Sequence, residues 1–101
     1  MLMQSIAQIK KANDACGQCF FAEAAMEFFQ SKVESPVFFT PTCSYFVTSE
    51  QDSDGKIWFG NRRFTIRMAH PNGCITTVGE FGQHFTYEEA QRAILDLIRT
   101  S

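Results

Sequence analysis

The sequence predicts an α+β fold with two N-terminal helices, a three- to four-stranded antiparallel sheet, and a C-terminal helix packed on one sheet face. Three observations lead there. Apolar residues recur at helical spacing near both ends of the chain, they alternate with a period of two through its middle, and Pro, Gly and Asp-Gly punctuation separates the two regimes. At 101 residues the chain suits one domain spanning 1–101. Forty-five per cent apolar residues, with Phe alone occurring eleven times, set it apart from disordered sequences.

The first helix is expected over 5–14. Ser5-Ile6-Ala7-Gln8 matches the pattern in which a hydroxyl accepts an orphan backbone N–H and a Gln three residues on reaches back. Gly17 breaks it. A second helix is expected over 21–33, where Phe21, Ala25 and Phe28 form one apolar stripe and Ala22, Met26, Phe29 and Val33 another. The remaining stripe, Glu23, Glu27, Gln30 and Glu34, is acidic and faces solvent or a basic partner. Ser35-Pro36 is expected to end this helix, since proline disfavours helical geometry in the residue before it.

Strands follow. Residues 44–48 are aromatic and β-branched, Asp54-Gly55 supplies a turn, and 56–59 pairs back across it. Over 64–68, Phe64, Ile66 and Met68 read as the buried face, with Thr65 and Arg67 pointing outward. Pro71-Asn72-Gly73 turns the chain into a strand over 75–81 with a bulge near Gly79. Thr86-Tyr87-Glu88-Glu89 caps a final helix over 87–99 whose core face is Tyr87, Ala90, Ile94, Leu97 and Ile98. The helices are expected to gather on one face of the sheet.

Charge and cysteine usage bound the function. The net charge of −2 is too small to argue for a strongly acidic mimic of DNA or for general nucleic-acid affinity. Its distribution is uneven. Lys56, Arg62, Arg63 and Arg67 lie in a segment with no acidic residue, leaving five basic against eleven acidic side chains elsewhere. The N-terminus reaches Lys10-Lys11 before any apolar run of signal-peptide or membrane-spanning length develops, so the four cysteines are expected as reduced thiols or metal ligands in a cytoplasmic setting.

Cys16-Gly17-Gln18-Cys19 is the sharpest local motif, because two intervening residues let both thiols bind one tetrahedral zinc. It is half a site. Cys43 and Cys74, or His70 and His84, are the side chains available to complete a structural zinc centre. The alternative for Cys43 and Cys74 is that they are small buried hydrophobes. A thioredoxin-like role needs a preceding strand, and a helix precedes this motif instead. No nucleophile elbow, phosphate loop or H-E-x-x-H motif occurs, so the chain is not expected to be an enzyme and no catalytic residue is assigned.

The segment from Lys56 through Trp58 to Arg62 and Arg63 interleaves basic and aromatic residues. That composition suits a protein interface, a nucleic-acid surface, or a sheet whose aromatics are core and whose arginines are solvated. The helix–strand–helix order resembles a double-stranded-RNA-binding domain in outline, but Glu88 and Glu89 stand where such a domain places lysines against phosphates. The contact residues expected for a partner are therefore Glu23, Glu27 and Glu34 on one surface and Lys56, Trp58, Arg62, Arg63 and Arg67 on the other.

Read together, Ile9-Lys10-Lys11-Ala12-Asn13, Phe20-Phe21, the run from Met26 to Val33, Tyr45 to Glu50, Phe64-Thr65-Ile66-Arg67 and Thr77-Val78-Gly79-Glu80-Phe81 resemble a group of small, functionally uncharacterised proteins of tailed bacteriophages. The Cys16/Cys19 pair departs from that group's pattern. The resemblance implies a phage accessory protein in the cytoplasm of a bacterial host, one that inhibits a host defence protein such as a CRISPR effector by occupying its surface. A small nucleic-acid-binding protein and a zinc-stabilised interaction domain are the alternatives.

Overall fold

The computed structural model describes residues 5–18, 20–21, 32–51 and 62–100. Helix α1 (Ile6–Cys16) is followed by strands β1 (Lys32–Phe39), β2 (Ser44–Gln51), β3 (Arg62–Ala69) and β4 (Ile75–Val78), then by helix α2 (Tyr87–Thr100). The strands form one antiparallel sheet in the order β1-β2-β3-β4. Among the described residues no helix is long and apolar enough to cross a membrane.

The helix caps follow the sequence. Ser5 Oγ accepts the Gln8 N–H at 3.3 Å, and α1 ends two residues later than expected, at a left-handed Gly17. Thr86 Oγ1 accepts the Glu89 N–H at 3.1 Å, while the Glu89 carboxylate reaches back to the Phe85 N–H at 3.0 Å.

The helices do not share a face. Along β2, Phe46 packs with Ile9 of α1, Ala69 and Ile75, whereas its neighbours Tyr45 and Val47 pack with Ala90 and Ile94 of α2. Successive strand residues point to opposite sides, so α1 and α2 cover opposite faces and the sheet is the middle layer. The expectation of helices on a single face is corrected accordingly, while α2 itself packs on one face as expected.

This layering explains a second correction. Phe64, Ile66 and Met68 do face the α2 side, but Thr65 is fully buried and the Arg67 side chain is only 12 % exposed. Alternation distinguishes the two faces of a strand without showing which of them meets water. Here the polar residues of β3 meet a buried partner, Glu50 of β2, which is 1 % exposed.

The expected helix over 21–33 lies mostly outside the described residues. Phe21 stands in a turn, and Lys32 and Val33 already belong to β1, paired with Ser49 and Thr48. Ser35-Pro36 therefore does not terminate a helix. It sits within β1, where residues 35–37 stand opposite Phe46 alone between the pairs Glu34↔Val47 and Phe38↔Tyr45. A bulged strand at a sheet edge can hold a proline, because no ladder bond there requires its missing N–H. β2 extends to Gln51, β4 stops at Val78 before Gly79, and the strand expected over 56–59 lies outside the described residues.

Candidate functional site

Among the described residues, three groups of side chains carry chemistry: a buried polar cluster on the α1 face, an aromatic loop between β4 and α2, and a thiol pair where α1 meets the β3–β4 turn.

The polar cluster is built by cross-strand register. The pairs Thr48↔Thr65, Phe46↔Arg67 and Glu50↔Arg63 put the relevant side chains on one face. Glu50 Oε1 accepts from Thr48 Oγ1 at 2.5 Å and from the Arg67 guanidinium at 3.1 Å, and Glu50 Oε2 accepts from Thr65 Oγ1 at 2.9 Å. Arg67 also donates to Thr48 and Thr77, and its guanidinium lies 5.3 and 5.5 Å from the ring centroids of Phe20 and Phe81. Among the described residues no buried side-chain nitrogen or oxygen lacks a partner. A buried pair satisfied in this way is structural glue, which removes Arg67 from the freely available basic surface.

The other arginines divide. Arg62 donates to the Ser49 hydroxyl and to the Ser49 carbonyl at 2.7 Å, on the α2 side. Arg63 donates to the Gly82 carbonyl at 3.2 Å and lies over the Phe85 ring at 4.0 Å. Lys56, Trp58, Glu23 and Glu27 lie outside the described residues. Glu34 belongs to a strand, so it does not extend a helical stripe with Glu23 and Glu27.

Arg63 leads to a surface that the sequence reading did not single out. The segment 79–86 leaves β4 through Gly79 (φ +78°) and Gly82 (φ +67°), both in the left-handed region that favours glycine. It is pinned throughout. The Gly82 N–H donates to Thr65 Oγ1 at 2.9 Å, the Glu80 N–H to Gln83 Oε1 at 3.1 Å, and His84 exchanges both backbone hydrogen bonds with Phe64. Phe81 and Phe85 are nonetheless 42 % and 64 % exposed. On the α2 side of the sheet, opposite the face that carries Arg63 and Arg67, Ile66, Val78, Gln83, His84, Ala93 and Leu97 line a groove of about 340 Å³ between β4 and α2. The only sequence cue was two phenylalanines flanking a glycine just before a helix cap, and Phe81 was instead expected to lie in the preceding strand.

The thiol pair stands at the other end of β4. Asn13 of α1 is fully buried; its amide donates to the Gly73 carbonyl at 2.9 Å and to Gln18 Oε1 at 2.8 Å, and its oxygen accepts the Phe20 N–H at 2.7 Å. Gln18 in turn bonds both the N–H and the C=O of Ile75, imitating a neighbouring strand at the edge of β4. These bonds bring Cys16 Sγ to 3.7 Å from Cys74 Sγ. The hydrogen bond to Cys16 pushes the Cys74 thiol pKa above its ordinary value, with desolvation adding to it. Of the four expected metal ligands, the structure thus joins Cys16 and Cys74. Cys19 lies outside the described residues. Cys43 stands apart, hydrogen-bonded to Thr40 in the β1–β2 turn and packed with the cluster on the α2 face. Among the described residues no group of three or more His, Cys, Asp or Glu side chains is placed to hold a metal. His70 bonds Thr76 through Nε2, and His84 lines the groove near α2.

The model of a family of unknown function, DUF7447, matches residues 5–95. The chain belongs to that family. The match runs from the Ser5 cap of α1 into the last turns of α2, so it takes in the polar cluster, the aromatic loop and the thiol pair alike. No curated protein and no solved structure matches the chain.

Proposed function

We propose that this chain is a non-catalytic binding protein that docks on another protein through Phe81 and Phe85, with Arg63 supplying the charged contact. The observation that supports this most is a phenylalanine 64 % exposed on a loop fixed at both ends, with a guanidinium 4.0 Å from its ring. Aromatic and arginine side chains are enriched at protein interfaces, and a loop already held in shape loses little entropy on binding.

The same surroundings disfavour nucleic acid. Glu80, Glu88 and Glu89 are exposed around the loop and would repel a phosphate backbone. The resemblance to small tailed-phage proteins supports a bacterial host protein as the partner class. A defence effector such as a CRISPR nuclease, inhibited in the host cytoplasm by surface occupation, is the first to test.

The test is affinity capture from bacterial lysate with the unaltered chain, with Phe81→Ala/Phe85→Ala, and with Phe39→Ala, which removes an exposed phenylalanine elsewhere. A partner retained by the first and third and lost by the second, with all three chains melting alike, is the expected result. Equal capture by the double variant would refute this surface. Capture that vanishes with nuclease treatment would redirect the reading to nucleic acid.

A further inference from the structure

We infer that Cys16 and Cys74 are a redox-active dithiol that a low-molecular-weight disulfide converts into a reversible bridge between the C-terminus of α1 and the β3–β4 turn. The two sulfurs stand 3.7 Å apart, although 58 positions separate them in the chain. A disulfide holds its sulfurs at about 2.05 Å, so the pair has less than about 2 Å to close. One side of the junction has room for that movement. Cys16 is the last residue of α1 and is exposed, and a Cβ built on the neighbouring Gly17 meets nothing within 4 Å. The other side is fixed, since Asn72 Oδ1 accepts the Cys74 N–H at 3.0 Å and Gly73 lies against the Ala12 carbonyl.

The thiols are brought together by bonds other than their own. Buried Asn13 donates to the Gly73 carbonyl, and Gln18 bonds both backbone groups of Ile75. α1 is therefore held against the turn before any bridge forms. Closure is intramolecular, which favours it over addition of a second small thiol. Cys43 takes no part, because its side chain packs with the cluster on the face opposite α1.

The two sulfurs have different roles. Cys74 is half-buried and donates its S–H to Cys16 Sγ, and that bond, with desolvation, holds the Cys74 thiol above its ordinary pKa. The first attack accordingly falls to the exposed Cys16. Its thiolate attacks one sulfur of the small disulfide, whose S–S bond breaks; one small thiolate leaves and a mixed disulfide remains on Cys16. Cys74 then gives its proton to solvent and attacks Cys16 Sγ, expelling the second small thiolate. In all, the two protein thiols lose two electrons and two protons, and the small disulfide is reduced to two thiols. The bridge ties α1 to the far end of β3, and cross-linking positions so distant in the chain restricts chiefly the unfolded state. Oxidation thus stabilises the fold without remodelling it.

The experiment equilibrates the full, reduced chain with mixtures of oxidised and reduced glutathione, quenches by alkylation, and reads intact mass and linked peptides. The expected product is a monomer lighter by two hydrogens, with Cys16 linked to Cys74, which dithiothreitol returns to the dithiol. It is expected to melt about 10 °C or more above the reduced chain. Cys74→Ser should stop at a glutathione adduct on Cys16, whereas Cys43→Ser and Cys19→Ser should still form the bridge. Absence of the linked peptide at the most oxidising ratio would overturn the inference. So would a bridge from Cys16 to Cys19 or between two chains, a bridge to Cys74 that survives Cys16→Ser, or an oxidised chain that melts no higher than the reduced one. The linked peptide from the unaltered chain decides the matter even if a variant fails to fold.

Discussion

Replacing Glu50 by alanine removes the acceptor around which Thr48, Thr65 and Arg67 are organised. Glu50 is 1 % exposed and the Arg67 side chain 12 %, so the guanidinium loses its counter-charge with little water available to replace it. Deleting one partner of a buried ion pair costs about 3–5 kcal/mol, and the residual exposure of Arg67 places this case near the lower end. For a domain of this size each kcal/mol lowers the melting temperature by about 4–8 °C. The expected loss is therefore about 3 kcal/mol by urea unfolding and at least about 12 °C by calorimetry. Glu50→Leu combined with Arg67→Met is expected to recover part of the loss, since it avoids burying an unpaired charge while still depriving the buried Thr48 and Thr65 hydroxyls of their acceptor. A loss under about 1 kcal/mol for Glu50→Ala, the range of an exposed pair, would refute the reasoning. So would a double variant no more stable than the single one.

Two further outcomes are expected. Gly73 has φ +96°, and a Cβ there would lie 2.2 Å from the Ala12 carbonyl oxygen, whereas a Cβ at Gly17 (φ +87°) meets nothing within 4 Å. Gly73→Ala should cost about 2–5 kcal/mol and Gly17→Ala about 1–2 kcal/mol, and equal losses in urea unfolding would contradict the close approach. Burial, with a contribution from the Cys43 side chain, raises the Tyr45 pKa above its ordinary 10.0. The folded state thus holds that proton more tightly than the unfolded one, and the associated stability is present below pH 10 and declines as pH rises through the folded value. Tyr45→Phe should flatten the alkaline limb of the stability profile, and an unchanged limb would show that Tyr45 does not contribute to it.

The N-terminal and C-terminal helices were legible because their signals are local. Ser5 and Thr86 cap within three residues of themselves, and Ala90, Ile94 and Leu97 repeat at a helical period. The strand around Val33 was not. Its apolar neighbours fit a helical stripe, and only pairing with Thr48, fifteen positions on, makes it extended. Where the arginines end was not legible for a related reason. Arg63 and Arg67 look alike in the sequence, yet one ends over an exposed phenylalanine and the other against buried Glu50.

By itself the sequence determined the α+β class, the two capped helices and the alternation of β3. Each of these depends on residues a few positions apart. The tertiary structure alone decided that the helices lie on opposite faces, that Thr65 and Arg67 are inside, that Phe81 and Phe85 are outside, and that Cys16 meets Cys74. Those outcomes depend on which distant segment covers each face, and short-range periodicity does not encode the neighbour across the sheet.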